Sequence, residues 1–166
     1  MELVENVRIA RSSAEKIWAT AKYDVMGRGY QHYKSLSKQA GNLHDLPAIH
    51  HFFQSLRVVS GRPYDRRGCI NTLEHMWGYV KKDAGSKEKE TFQHDLSEAA
   101  ELPYDHFYEW CGSMEKTRQL LSHLAWKYQK DYLLRSLILF PDTDYHILQN
   151  RKGTFMLSGD RLWKMD

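Results

Sequence analysis

Apolar residues recur along this chain at three- and four-residue intervals, so the dominant spacing is that of amphipathic helices and not the alternation of strands. Ser12-Ser13-Ala14-Glu15 has the form of a capping box, in which Ser12 and Glu15 satisfy each other's free backbone donors. A first helix then runs to about Met26, with Ile17, Trp18, Ala21 and Val25 on one side and Gly27 and Gly29 as its stop. The second spans Tyr30 to Ala40, turns Tyr33, Leu36 and Ala40 inward, and ends at Gly41. Asp45 caps a third, which tolerates Pro47 in its first turn and presents Ile49, Phe52, Phe53, Leu56 and Val59. After the turn-rich, basic connector SGRPYDRRG, a fourth helix is predicted from near Arg66 to near Asp83. Ser86 opens a fifth, carrying Phe92, Leu96 and Ala99.

From Tyr104 to Phe140 the helical pattern continues for longer than a globular helix usually runs, so a break is expected near Gly112 or near Gln129-Lys130-Asp131. Pro141 is read as the end of the last helix. The expected fold class is all-α: a single-domain bundle of six to eight helices with an irregular C-terminal tail. The predicted division is an N-terminal arm over 1–12, a helical domain over 13–150 and the tail over 151–166.

Length and composition narrow the function classes. The chain has 166 residues, enough for one sizeable core, and its apolar and charged fractions, 42% and 27%, are those of a globular protein. No apolar run approaches the ~18 residues of a membrane span. The N-terminus lacks the basic flank and apolar block of a secretory signal, so a cytoplasmic location is expected. Cys69 and Cys111 form no CxxC and no zinc spacing; both are expected to be free, buried thiols. Two cysteines do not make the three- or four-cysteine site of an iron–sulfur cluster.

The net charge of +3 hides an asymmetry. Residues 1–82 carry 13 basic and 7 acidic side chains, residues 83–114 carry 2 and 8, and residues 115–166 carry 9 and 6. An acidic segment therefore lies between two basic ones, which bears on partners and steering and makes a polyanion plausible.

The segment NTLEHMWGYVKK concentrates this asymmetry. On a helical wheel over residues 66–82, Arg67, Asn71, His75, Gly78 and Lys82 fall within about 40° of one line. Ile70, Leu73, Met76, Trp77 and Val80 take the opposite side, and Tyr79 and Lys81 flank the polar line. A glycine inside a helix costs ~1 kcal/mol relative to alanine, so Gly78 implies a close approach, either by a neighbouring helix or by a ligand such as a phosphodiester. His75 reads as a hydrogen-bonded structural histidine, a contact to phosphate or base, or a metal or catalytic group.

Enzyme signals are weak. The 9 histidines form no HExxH, although His44, His50, His75, His106 or His123 can still cluster through the fold. There is no P-loop, no dinucleotide-binding glycine loop and no GxSxG. Cys69, beside Arg66 and Arg67, is either a thiol with a lowered pKa or a buried one; its wheel position favours burial. Asp142, Asp144 and His146 in PDTDYH suit acid–base work or a metal, or simply form a solvated turn. No cofactor and no metal is expected.

An ordered set of motifs resembles the YbgA-like family of bacterial helical domains. The motifs are KYDVMGRGYQHYKSL, LHDLPAIHHFFQSL, NTLEHMWGYVKK and LSHLAWKYQKDYLLRSLILFPDTDYHIL, covering roughly residues 14–150. The resemblance implies an all-helical domain that occurs alone or fused to a cysteine-rich desulfidase domain. That partner domain holds an iron–sulfur cluster and removes sulfur from thiolated nucleobases, including 4-thiouridine in tRNA. The helical domain of such fusions is implied to engage tRNA. The desulfidase cysteines are absent here, so the chain resembles the stand-alone form and does not inherit the desulfidase chemistry.

Phosphate binding needs Lys and Arg, and unpaired bases need exposed aromatic planes. The candidate nucleic-acid-binding residues are Lys22, Arg28, Tyr33, Lys34, Arg66, Arg67, Asn71, His75, Gly78, Tyr79, Lys81, Lys82 and Arg151, with Arg62, Lys152, Tyr30 and Tyr64 as further basic and aromatic groups. The expected function is a non-catalytic module that binds tRNA or another structured RNA, acting as an adaptor for a separate desulfidase in thiolated-tRNA desulfuration. The alternatives are a small enzyme with a His75-centred pocket and a protein-interaction domain that docks through its acidic segment.

Overall fold

A computed structural model of the chain describes residues 1–165. In order, β1 (Glu2–Leu3) leads into α1 (Val7–Arg28), α2 (Tyr30–Ala40), α3 (Leu46–Ser60), β2 (Tyr64–Asp65), α4 (Arg66–Trp77), α5 (Ser86–Ala100), β3 (His106–Phe107), α6 (Gly112–Lys127) and the short α7 (Asp131–Leu134). Three strands close the chain: β4 (Ile147–Asn150), β5 (Gly153–Ser158) and β6 (Arg161–Met165). No helix is long and apolar enough to cross a membrane among the described residues.

The all-α expectation is overturned by these strands. A four-stranded antiparallel sheet runs in the order β1-β6-β5-β4, and β2 pairs with β3 in a second, two-stranded sheet. The tail expected to be irregular is therefore a hairpin pair, with Asp166 alone lying outside the described residues. Alternation is its physical basis: Phe155 and Leu157 face the core while Thr154 and Met156, alternating with them, are only partly covered. Gly159-Asp160 links β5 to β6 as a two-residue turn, with Gly159 at φ 64°. The chain's first strand then pairs with its last, Leu3 opposite Trp163, so the predicted N-terminal arm is an integral edge of the sheet.

The first helix begins at Val7, five residues before the predicted capping box. Asn6 caps it, its Oδ1 accepting from the Ile9 N–H at 3.1 Å. Ala10 and Ala14 extend the buried stripe of Ile17, Ala21 and Val25, and that continuity draws the helix back past Ser12. The helix also runs through Gly27 and ends only at Gly29, whose φ is 148°. The second, third and fifth helices match the predicted spans, and every core residue predicted for α3 and α5 is buried. The helical pattern expected from Tyr104 starts only at Gly112, because residues 104–111 form bends around β3, while the expected break near Gln129 is present, Gln129 reversing the chain at φ 51°. Turns occupy 135–140, so Leu134, not Pro141, closes the last helix.

α1 carries two apolar clusters on one rod. Its first half joins α2, α3 and the sheet around Ile17, Phe52, Phe53 and Phe155. Its last turns join α4, α5 and α6 around Leu73, Met76, Phe92 and Leu121. Trp77 stacks on Phe92 at 4.2 Å between centroids.

A clasp ties α5 to the end of α6. Glu88 accepts from the Tyr128 hydroxyl, from the Gly85 N–H at 2.9 Å and from Lys127 Nζ at 2.9 Å. These bonds, the Tyr128 one foremost, push its carboxyl from 4.5 down to about 2. A carboxyl lowered by folding stabilises above its ordinary value and loses that contribution as pH falls through the folded one. Between pH 4.5 and about 2 the wild type is therefore expected to lose more melting temperature than Glu88→Gln, measured by circular dichroism. Parallel losses would contradict the assignment.

Candidate nucleic-acid interface

The surface that gathers the predicted residues lies where the second half of α1, the end of α4 and α7 meet. Tyr23 is its anchor. Only 4% exposed, it faces His75 with ring centroids 6.4 Å apart and exchanges a hydroxyl hydrogen bond of 3.2 Å with Tyr79. Burial, then the Tyr79 hydrogen bond, push its phenol well above the ordinary value, so it stays protonated. Tyr79 stacks on Tyr132 at 5.4 Å and 20°, and both rings remain open to solvent, at 41% and 36%. Lys22 Nζ lies 4.8 Å from the Tyr132 centroid and 5.2 Å from that of Tyr23. The result is an exposed two-ring platform with a cation over it.

Arg67, Asn71 and His75 are exposed along one face of α4, rising ~6 Å per step of four residues towards this platform. The fourth helix stops at Trp77, however, so Gly78, Tyr79, Lys81 and Lys82 sit on successive turns instead of on the helix. This corrects the reading of Gly78. It is an exposed C-cap residue at φ −53°, and an added Cβ would meet only the carbonyl of His75. Helix crossing occurs elsewhere, at Gly27 and Gly68, where a Cβ on Gly68 would come within 2.8 Å of the Met26 carbonyl. Lys81 and Lys82 line an open depression with Trp77, Lys89 and Gln93, so the acidic segment itself contributes a cation, Lys89.

Other predicted residues are engaged inside the fold. Arg28 pairs with the buried Asp24 at 3.0 Å, lies 4.1 Å from the Tyr64 ring and donates to the Arg62 carbonyl. Arg66 pairs with Asp105 at 3.0 Å and donates to the carbonyls of Ala100 and Leu102, closing the C-terminal end of α5. Tyr33 stacks on Trp18 at 5.9 Å and has Tyr30 on it at 5.9 Å. Lys34 is exposed on α2. Arg151 stands on the β4–β5 turn, where it shares a cleft with Lys152 and with Lys16 of α1.

The acidic segment is partly engaged away from this surface. Asp83 pairs with Lys130 at 2.7 Å and Glu88 with Lys127, so two of its carboxylates are turned towards the basic C-terminal third. Lys16, Lys22, Arg67, Lys81, Lys82 and Lys89 have no acidic partner among the described residues.

Tyr132 and Lys16 are the functional candidates that sequence reasoning missed. Tyr132 fell just past the break expected in the long helical pattern, and Lys16 on the solvated back of the first helix. The His75 side chain lines none of five principal clefts, so the pocket that an acid–base role requires is not among them. Cys69 is buried as expected, and burial, with Asp24 and Asp65 nearby, raises its thiol pKa, which removes the reactive-thiol reading. Cys111, expected to be buried, is exposed at the start of α6. Asp144 and His146 form an exposed turn, the Asp144 carboxylate accepting from the His146 N–H at 2.9 Å. Among the described residues one trio of metal-ligand type converges, His94, Asp95 and Glu98 on α5, and His94 already contacts Glu98 at 3.2 Å.

Fold and surface define a helical domain, finished by an antiparallel sheet, that displays a basic, tyrosine-rich face. Residues 22–142 match the family described as protein of unknown function (DUF1722), and the chain belongs to that family. The matched segment contains α2 to α7 but not β4–β6, so the C-terminal hairpins lie outside it. No curated protein and no solved structure matches the chain.

Proposed function

We propose that this protein is a non-catalytic RNA-binding module that takes tRNA or another structured RNA on the face built from Lys22, Arg67, Asn71, His75, Tyr79, Tyr132, Lys81 and Lys82. The observation that carries the reading is the exposed Tyr79–Tyr132 pair with Lys22 over it. Two solvent-open rings beside unpaired cations supply both terms of single-strand recognition: stacking for splayed bases and charge for the phosphates. The YbgA-like resemblance adds thiolated tRNA as the RNA and a separate desulfidase as the protein that acts on it.

Fluorescence anisotropy with bulk tRNA and with duplex DNA, over a salt series, tests this. Binding is expected to favour tRNA and to weaken steeply with salt. Charge reversal at Arg67 and Lys82 together is expected to weaken tRNA binding at least about tenfold and to make the salt slope shallower by about two. Equal affinity for both nucleic acids would reduce the face to a generic polyanion binder. Unchanged affinity in the double variant would remove Arg67 and Lys82 from the site.

A further inference from the structure

Beside the stacking platform lies a cleft of ≈ 470 Å³ lined by Lys16, Ala19 and Thr20 of α1 and by Asp131, Tyr132 and Arg135. Resting on the RNA-binding reading, the geometry points to this cleft as the receptacle for one unpaired nucleotide, extruded from the RNA and seated on the Tyr132 ring.

Six features argue for it. The volume lies in the range of small-ligand sites. Its aromatic wall is the same Tyr132 ring that stacks on Tyr79 and carries Lys22, so the cleft continues the platform. Two cations, Lys16 and Arg135, line it without an acidic partner among the described residues, in position to hold the flanking phosphates. Asp131 supplies a carboxylate that no cation neutralises, an acceptor for an N–H on a base's pairing edge. Ala19 contributes only a methyl group, which leaves the space between the rims open. Lys16 also lines the neighbouring cleft of Arg151 and Lys152, so the basic track runs on from the nucleotide site towards the β4–β5 turn. A duplex cannot enter such a cleft; an unstacked loop or bulge can.

Three titrations of the full chain decide the point. The first compares an RNA hairpin bearing an unpaired loop with an uninterrupted RNA duplex, for the wild type and Ala19→Trp. Ala19 is exposed, so the bulky side chain fills the cleft without entering the core. The wild type is expected to prefer the hairpin by about tenfold or more, and the variant to lose that preference while still binding the duplex through its cations. A preference that survives Ala19→Trp overturns the cleft and leaves the RNA-binding reading standing.

The second follows backbone amide resonances on adding 5′-UMP, with inorganic phosphate as the control. Shifts at Thr20, Asp131 and Tyr132 with UMP alone are expected. Their absence, or the same shifts with phosphate, overturns the proposal, and this titration judges the cleft even if no RNA binds and the broader reading fails. The third uses N3-methyl-UMP, which lacks the donor for Asp131. Binding about tenfold weaker or worse is expected; equal binding overturns the assignment of a base to this cleft.

Discussion

Asp24→Ala is expected to destabilise the protein by about 3–5 kcal/mol, the cost of leaving a buried charge without its partner. Asp24 is 2% exposed on α1, and its carboxylate accepts from Arg28 Nε at 3.0 Å and from the Tyr64 hydroxyl. Arg28 in turn donates to the Tyr64 hydroxyl at 3.1 Å and to the Arg62 carbonyl, and its guanidinium stacks on the Tyr64 ring. Removing the carboxylate strands a guanidinium with a side chain only 12% exposed and unpairs a phenol beside it. Asp24→Asn keeps the shape and one acceptor but loses the charge, so it should fall between the two. The urea midpoint at constant m-value reads the effect. A loss under about 1 kcal/mol would mean that the group behaves as a surface pair, against its burial.

Gly68→Ala is the second large effect, expected at about 3 kcal/mol despite the gain in helix propensity. An added Cβ would come within 2.8 Å of the Met26 carbonyl and 3.0 Å of that of Gly27, both backbone atoms of α1. Neither can swing aside as a side chain can, so α1 and α4 must separate. Gly27 faces the same crossing, with Cys69 Sγ and Tyr64 each 3.4 Å from its own added Cβ. Because α1 and α4 both contribute to the tyrosine face, the variant should weaken RNA binding as well as lower the melting temperature. A melting temperature at or above the wild type's would show that the crossing has slack.

Where amphipathic periodicity was strong, the fold was legible. α3 shows this best: Asp45, Pro47 and five apolar residues at helical spacing define its start and its buried face. Helix ends were less legible, since packing extends or truncates them. Buried Ala10 and Ala14 carried α1 back past the Ser12 box, while α4 gave way to turns after Trp77 although its wheel pattern continued to Lys82. The sheet was missed because each strand is short and half-covered, and β1 finds its partner some 160 residues away. Gly159-Asp160 between two apolar stretches was the available signal.

The candidate site was half legible for the same reason. A wheel finds residues on one helix, so Arg67, Asn71 and His75 emerged together. It cannot find a ring that arrives from α7, so Tyr132 stayed hidden, and it cannot tell a free arginine from Arg66, whose partners lie 34 or more residues on along the chain, or from Arg28, which joins Asp24 one turn back to the distant Arg62 carbonyl and Tyr64 hydroxyl.

The central claim is that Tyr79 and Tyr132 stack on bases, beyond the attraction of a basic surface for phosphate. The most direct test is the affinity of an unpaired RNA oligonucleotide for the wild type and for Tyr132→Ala at about 1 M salt, where charge reaches only ~3 Å. The account predicts that wild-type binding persists at a residual level and that Tyr132→Ala lowers it by at least about fivefold. Equal affinities, or wild-type binding that vanishes with the charge, would contradict stacking and leave a surface that attracts polyanions alone.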